Sequence, residues 1–403
     1  MPCCTPFTTQ FIIENAMSDS ADALNGPRAA LERVQPGLPA HWYRDPAHHE
    51  LELETFWYAG WIAVAREEEL PSPGDYRLVG VGTQSLILLR DDEGALRAFH
   101  NTCRHRGSIL CTEKSGRFAR GRINCPYHAW SYDLHGALAA TPRRMPTPDF
   151  AAADYSLFAV AAQAWGGFVF INLADRPQPL ADTLGEAPQR FRNYGLADLR
   201  IGKRIVTDVQ ANWKLIAENF SECFHCPPVH PEFCRVVPSY REGGAWGLRG
   251  DGETAPEYLP GATTLTPDGS ARIPPFRGLD ETQRKTLYTA WMTPPNLFLN
   301  VHPDYVNAHM MFPTGPETTR IVYDWLFEPG HMPSGADLDH YVALWDITNG
   351  QDARNCEWQQ QGMRSRRFAN GIFVPQEFDC HRFCEWVRAG LSQSGQVPSK
   401  AGE

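Results

Sequence analysis

Two short segments each offer a thiol and an imidazole: Cys103-Arg104-His105 and, after nineteen intervening residues, Cys125-Pro126-Tyr127-His128. Two thiolates and two neutral imidazoles can hold a [2Fe–2S] cluster, with both sulfurs on one iron and both nitrogens on the other. Exchanging two thiolates for imidazoles raises the potential of such a cluster to between about −150 and +300 mV, a range suited to passing single electrons. The same four ligands could instead close a structural zinc site, although the one-residue gap between Cys103 and His105 is tighter than a zinc knuckle favours. Either centre needs two loops that converge. Residues 61–175 can supply them, because alternation and turn residues mark short strands at 76–81, 85–90, 95–100, 122–124, 129–133 and 167–172.

The flanks narrow the choice. CRHRGS, from Cys103 to Ser108, and CPYHAWSYDLHG, from Cys125 to Gly136, closely resemble the two cluster-binding loops of Rieske proteins. That resemblance implies that Cys103, His105, Cys125 and His128 bind a Rieske [2Fe–2S] cluster. The interval between the loops is longer than the family usually shows. The charged, glycine-bearing insert 113–117 is expected to absorb the excess as a surface loop.

A second constellation lies between Asn212 and His230. Trp213, Ile216, Phe220 and Phe224 recur at three- and four-residue steps, which predicts one helix running to His225 with a single apolar face. Pro227 and Pro228 are expected to stop it there, leaving His230 in a turn where it can fold back beside His225. Two neutral histidines at such a corner need one carboxylate to make the 2-His-1-carboxylate triad of non-haem Fe(II) oxygenases, whose open positions receive O2. Glu222 stands three residues before His225 on the same expected helix face, where a carboxylate can accept the free ring N–H and fix the tautomer. Glu218 and Glu222 could also be a solvated acidic stripe.

Together the two constellations resemble the catalytic α subunit of a Rieske non-haem iron oxygenase, over about residues 40–390. The family's signature N-W-K followed by E-N-x-x-(D/E)-x-x-H-x4-H is matched at every position from Asn212 to His230. The resemblance implies that His225 and His230 ligate iron and that Asn219 is a polar neighbour of the metal. It implies that Glu222 links the iron ligand of one subunit to the cluster ligand of the next. It also implies a carboxylate ligand on a late helix. Within 338–368 Asp352 is the choice, with Asp346 and Glu357 in reserve, because 351–357 resembles an E-D-x-x-x-C-E segment in which Gln351 replaces the usual Glu. The implied fold is α+β: an all-β Rieske domain plus an α+β catalytic domain, with helices gripping an antiparallel sheet. The implied chemistry is O2 activation at a mononuclear Fe(II) fed by the cluster. No G-x-G-x-x-G follows a strand and no flavin motif occurs, so NAD(P)H and flavin are expected to act through a separate reductase, with or without a ferredoxin. A head-to-tail homotrimer is expected to pass the electron between subunits.

Residues 1–35 are expected to be a flexible extension, with Met17 an alternative start that would make 1–16 an upstream addition. Residues 36–60 should hold a leading helix at 48–58 packed on the catalytic domain. Residues 61–175 then form the Rieske domain and 176–403 the mononuclear-iron domain, divided at the Pro-rich 176–179. In the latter, strands are expected at 296–301, 306–312 and 318–327. The net charge of −10 argues against a nucleic-acid partner. No run of eighteen apolar residues could span a membrane, and the start lacks a signal-peptide pattern. Eleven cysteines, two committed to the cluster, show no paired framework, which fits a cytoplasmic setting.

The stretch 295–306 resembles enzymes acting on choline, glycine betaine, carnitine and proline betaine, as do Glu222 and the tail pattern Arg364-Ser365-Arg366 with Phe383 and Trp386. A trimethylammonium head suits an aromatic cage, for which Trp291, Phe298, Tyr305 and Trp325 are candidates. The same rings could stack an aromatic acid or aryl ether, giving ring hydroxylation or O-demethylation. His302 and His309 read as structural or pocket-lining. A reading of another class is a Rieske electron-transfer protein fused to a binding domain, which leaves His225 and His230 idle. Iron analysis after anaerobic Fe(II) reconstitution separates the classes. An oxygenase is expected to hold about three irons per chain; two irons, with no affinity for another, would exclude it.

Overall fold

Leu86, Ile87, Leu88 and Leu89 are all fully buried, so the strand Gln84–Arg90 has both faces covered. Around it the computed structural model, which describes residues 24–25, 29–245 and 256–393, builds the first of two compact units, Trp57 to Leu180. Its main sheet is antiparallel and seven-stranded, in the order Ile62–Arg66, Phe168–Asn172, Ala159–Trp165, Leu96–His100, Gln84–Arg90, Asp75–Val81, Ser115–Arg117. A second sheet joins Ile123–Asn124, Ser131–Tyr132 and Leu138–Ala140. Ile87, Leu89 and Phe99 of the large sheet share one core with Ile123, Tyr132 and Leu134, and both Cys103 and Cys125 belong to that core. At the turn after Leu134, Gly136 adopts φ +85°, and a Cβ there would lie 2.5 Å from the Phe99 ring.

One expectation changes here. The insert 113–117 is not wholly a loop: Ser115–Arg117 pairs with Asp75, Tyr76 and Arg77 as an exposed edge strand, held by Arg117 Nε donating to Asp75 Oδ1 at 2.7 Å. The Pro-rich segment 176–179 is the last stretch of this unit before it ends at Leu180, and Trp61 Nε1 donating to Gln178 O at 2.8 Å ties it to the sheet.

The second unit joins the described residues up to Phe56 with those from Ala181 onward. A five-stranded antiparallel sheet runs Arg200–Val209, Thr318–Phe327, Val306–Gly315, Leu297–Val301, Thr289–Thr293. The first of these strands escaped the sequence pattern because its polar residues satisfy one another across the ladder: Arg204 clasps Asp324 at 2.6 and 2.7 Å, and Arg320 clasps Asp208 at 2.7 and 2.9 Å. Three helices carry or support the candidate metal-site residues: α1 (Trp213–Phe220), α2 (Ala336–Gly362) and α3 (Phe378–Gln393). Helix α1 packs against both α2 and α3, and Phe220 stacks on Phe298 of the sheet at 4.6 Å between ring centres. The leading helix starts at Pro46 behind an Asp45 cap and ends at Glu52, followed by a wider turn over Leu53–Tyr58. Most of the 1–35 extension lies outside the described residues, yet Leu24 is buried and Asn25 exchanges bonds of 2.9 and 3.3 Å with Met292.

The N-W-K triplet is fully buried. Asn212 caps α1, its side chain accepting from Lys214 N at 2.9 Å. Lys214 Nζ donates to Glu52 Oε1 at 2.5 Å, to Trp42 O at 2.9 Å and to Asn212 Oδ1 at 2.8 Å, while Trp213 Nε1 donates to Glu52 Oε2 at 2.8 Å. Glu218, one turn on, is buried rather than part of a solvated stripe; its Oε1 accepts from Tyr43 Oη at 2.5 Å.

Burial pushes the Glu218 carboxyl from 4.5 up to about 7, against the opposing pull of Tyr43 and Lys214. Between those values the folded chain keeps a proton that the unfolded chain has released, so this group's contribution to stability falls as pH rises and levels off above about 7. Denaturant unfolding of wild type and Glu218→Gln at pH 5 and pH 8 is expected to show wild type losing about 2 to 3 kcal/mol more than the variant on going to the higher pH. Parallel behaviour of the two proteins would refute the assignment.

Candidate metal centres and substrate pocket

Helix α1 ends at Phe220, five residues before the predicted stop, and Phe224 is exposed. Pro227 and Pro228 open a new helical turn, Cys226–Val229, instead of ending the old helix, since a first-turn proline forfeits no hydrogen bond. His225 and His230 flank that turn as its cap residues, and Pro231–Val236 continues beyond. The two ring Nε2 atoms come within 3.1 Å. From α2, Asp352 Oδ1 lies 2.9 Å from His230 Nε2 and 3.3 Å from His225 Nε2. The reserves are elsewhere: Asp346 is exposed, and Glu357 accepts a bond from Gln210 N at 3.1 Å.

Three electron-pair donors converging this closely call for a cation. Ligands about 2.1 Å from a metal and at right angles sit about 3.0 Å apart, so the observed spacing fits three adjacent corners of an octahedron. The electrostatics agree. Burial disfavours a charged His225 ring, but Asp352 and Glu222 outweigh it and carry its pKa up to about 10. Burial likewise opposes a charged Asp352, yet the two rings hold it down to about 2. Positive charge is stabilised at this point.

Glu222 is no longer on the helix, but its place is fixed. One carboxylate oxygen accepts from the backbone N–H groups of Phe224 and His225, and the other lies 2.5 Å from His225 Nδ1. Asn219 Nδ2 is 3.4 Å from His225 Nε2, on the pocket side. His230 Nδ1 is 2.7 Å from Gln351 Oε1.

Above the three ligands lies a cavity walled by Phe233, Tyr240, Tyr288, Phe298, Tyr323 and Trp345. Of the expected cage residues only Phe298 reaches it; Trp291 and Trp325 are buried elsewhere in the sheet, and Tyr305 in the turn between Leu297–Val301 and Val306–Gly315. Trp345 was legible in principle, because it stands two turns before Asp352 and so shares its helix face. His309 lines the cavity. His302 instead packs behind it, accepting from Trp345 Nε1 at 3.1 Å. Burial drives both imidazoles down to about 3, so they are neutral. Among the described residues no Lys or Arg lines this cavity.

One cysteine expectation is corrected here. Cys223 and Cys226 are joined as a disulfide across the turn that carries His225, where their Cα atoms are 4.9 Å apart. The other described cysteines are unpaired.

In the β unit the two ligand loops repeat one design. Cys103 N donates to Ser108 O at 2.8 Å and Gly107 N returns to Cys103 O at 2.9 Å; Cys125 N donates to Trp130 O at 2.8 Å and Ala129 N returns to Cys125 O at 3.1 Å. The left-handed turn falls on Gly107 and on Ala129. Both thiols are buried and both imidazoles exposed, with the His105 and His128 rings 4.8 Å apart. Tyr132 Oη sits 3.3 Å from Cys103 Sγ and accepts from Arg104 N at 3.1 Å. Two sulfurs below and two imidazoles above, each on a tight turn, suit a [2Fe–2S] cluster between them.

A two-iron cluster tip in one unit and a two-histidine, one-carboxylate corner in the other define an iron-dependent redox enzyme. Residues 60–151 match the Rieske [2Fe-2S] domain, and residues 196–393 match the ring hydroxylating alpha subunit (catalytic domain). The glycine betaine monooxygenase oxygenase subunit of Chromohalobacter salexigens is 30% identical over 407 residues, covering 92% of this chain and 90% of that protein. The carnitine monooxygenase oxygenase subunit of Acinetobacter pittii is 30% identical over 340 residues, covering 82% and 86%. A crystal structure of the quaternary ammonium Rieske monooxygenase CntA superposes with a TM-score of 0.71 at 25% identity, covering 92% of this chain and 98% of that one. The chain belongs to the Rieske non-haem iron oxygenases, as an oxygenase α subunit. Its cofactors are a Rieske [2Fe–2S] cluster and a mononuclear iron, so neither the zinc reading nor the electron-transfer-only reading stands.

Glu222→Gln keeps the size of the side chain but removes the charge that holds the His225 ring. The variant is expected to retain a reducible cluster and bound mononuclear iron while turnover falls at least about tenfold. Turnover near wild type would remove Glu222 from the machinery.

Proposed function

We propose that this protein is the oxygenase component of a quaternary ammonium monooxygenase, acting on a small betaine-, choline- or carnitine-like compound. The observation that carries the reading is the cavity itself: aromatic walls and no lining Lys or Arg among the described residues. A trimethylammonium group brings its own positive charge and is held by ring faces without hydrogen bonds. An aromatic acid brings only negative charge to the same place. The names of the relatives point the same way.

In this reading His225, His230 and Asp352 would hold the iron at the base of the cavity. The bound iron would supply O2 activation, and the cluster would supply electrons. The chain's own part is to bind and orient: the rings keep an N-methyl group near the three ligands and exclude water, and Asn219 offers an amide beside them. Hydroxylation of an N-methyl carbon consumes O2, two electrons and two protons and yields water and an N-hydroxymethyl cation, which breaks down to a tertiary amine, formaldehyde and a proton. Cys103, His105, Cys125 and His128 bind the cluster, within a Rieske domain taken as residues 61–175 ahead of the iron domain at 176–403. A separate NAD(P)H-dependent reductase, with or without a ferredoxin, supplies the electrons, and the protein works in the cytoplasm. A head-to-tail homotrimer, with Glu222 as the link between neighbouring subunits, completes the electron path.

Oxygen uptake with reductase and NADH tests the reading. Glycine betaine, choline, carnitine or a close quaternary amine is expected to stimulate it. The uncharged tert-butyl isostere should bind more weakly, since each desolvated cation–π contact contributes about 0.5 to 2 kcal/mol. Background rates with all such amines, together with stimulation by benzoates or phenoxy acids, would overturn the substrate class and leave the oxygenase intact.

A further inference from the structure

The two imidazoles at the iron corner are backed by different chemistry. His225 Nδ1 faces the Glu222 carboxylate at 2.5 Å, whereas His230 Nδ1 faces a neutral amide oxygen, Gln351 Oε1, at 2.7 Å. The other end of that amide is engaged as well: Gln351 Nε2 donates to Glu232 Oε2 at 3.0 Å. Glu232 belongs to the helix Pro231–Val236 that His230 caps, and Gln351 is the α2 neighbour of Asp352. The two supporting side chains, Gln351 and Glu232, therefore both start close in sequence to metal-site residues.

We propose that Gln351 is a positioning residue for the mononuclear iron: locked by Glu232, its amide forces His230 into the tautomer whose Nε2 lone pair faces the metal. The logic is one of donors and acceptors. An ionised carboxylate only accepts, so the amide end facing Glu232 must be the NH2 group. The carbonyl oxygen is then turned to His230, whose Nδ1 has to donate, and the ring's lone pair is left on Nε2, 2.9 Å from Asp352 Oδ1. Without Glu232 the amide could rotate by half a turn and present NH2 to Nδ1, which would move the proton to Nε2 and block the metal position. Because the partner of His230 is neutral, that ring donates less electron density than His225. The site thus pairs one charge-backed imidazole with one amide-backed imidazole, which holds the iron while keeping its reduced state accessible.

This inference rests on the reading that His225, His230 and Asp352 hold the iron, and the experiment separates the two. Fe(II) affinity is measured by anaerobic equilibrium dialysis of the full-length, cluster-loaded protein, with Co(II) absorption as an independent probe of the ligand set. Gln351→Leu is expected to weaken metal binding about 10- to 100-fold. Glu232→Ala should weaken it less, and should add nothing in the Gln351→Leu background, because it acts through the amide. The exchange pair Glu232→Gln with Gln351→Glu keeps both hydrogen bonds but turns a carboxylate to His230. It is expected to restore affinity and to lower the Fe(III)/Fe(II) midpoint potential, which a purely structural role would not move. Wild-type affinity in Gln351→Leu, additive losses, or an unchanged potential in the exchange pair would each overturn the proposal while His230→Ala still abolishes binding. If Gln351→Leu does not fold, the exchange pair alone decides through the potential. Retention of iron by His230→Ala would bring down the ligand reading together with this one.

Discussion

Lys214 carries an ammonium group into the interior of the α+β unit, where Glu52, the Asn212 side chain and the Trp42 carbonyl surround it. Removing one partner from a buried pair of this kind leaves an uncompensated charge and costs about 3 to 5 kcal/mol. The pairing therefore admits one seating of helix α1, against the leading segment on one side and α2 and α3 on the others. Everything chemical in this unit hangs from that seating. The end of α1 sets where Glu222 turns back on His225, and the α1–α2 contact brings Asp352 to the same corner. The N-W-K triplet is thus the foundation of the metal site, though it touches none of the ligands.

The residues most legible in the sequence were those whose chemistry is carried by spacing. Cys103, His105, Cys125 and His128 belong to loops short enough for the chain itself to bring them together, and His225 and His230 are five residues apart. Asp352 came through family likeness, since nothing local marks one carboxylate on a long helix above Asp346 or Glu357. What stayed hidden depends on tertiary distance. Periodicity extended α1 to His225, but Glu222 captures the N–H groups of Phe224 and His225 and ends the helical pattern early. Glu218 reads as a surface charge until Tyr43 is seen to meet it from 175 residues away. Strand aromatics supply only part of the cage: Phe298 and Tyr323 reach it while Trp291 and Trp325 fill the sheet's packing, and Phe233, Tyr240, Tyr288 and Trp345 arrive from helices and connections. The strand Arg200–Val209 lacked an apolar face because ion pairs across the ladder do the work that apolar packing does elsewhere.

The two metal centres are supported in opposite ways. Each cluster loop is closed by its own backbone hydrogen bonds, to which Tyr132 and Arg104 add side-chain ties. The proposed iron corner brings together residues far apart in sequence, and each imidazole there faces a side chain, Glu222 or Gln351. Electron storage needs a rigid cage that changes little between oxidation states. A site that must admit O2 and an organic substrate needs an open side, and only side-chain support leaves one.

The cluster tip also divides into a buried half and an exposed half. Its sulfurs are embedded in the core with Phe99, Trp130 and Tyr132, whereas His105, His128 and the exposed Tyr127 and Arg106 face outward. Substitutions at Tyr127 and Arg106 alter the shape and charge around the two imidazoles without disturbing the packing of the two thiols. The surface around the tip can therefore drift by such exchanges while the two Cys–His pairs and the core beneath them are inherited unchanged.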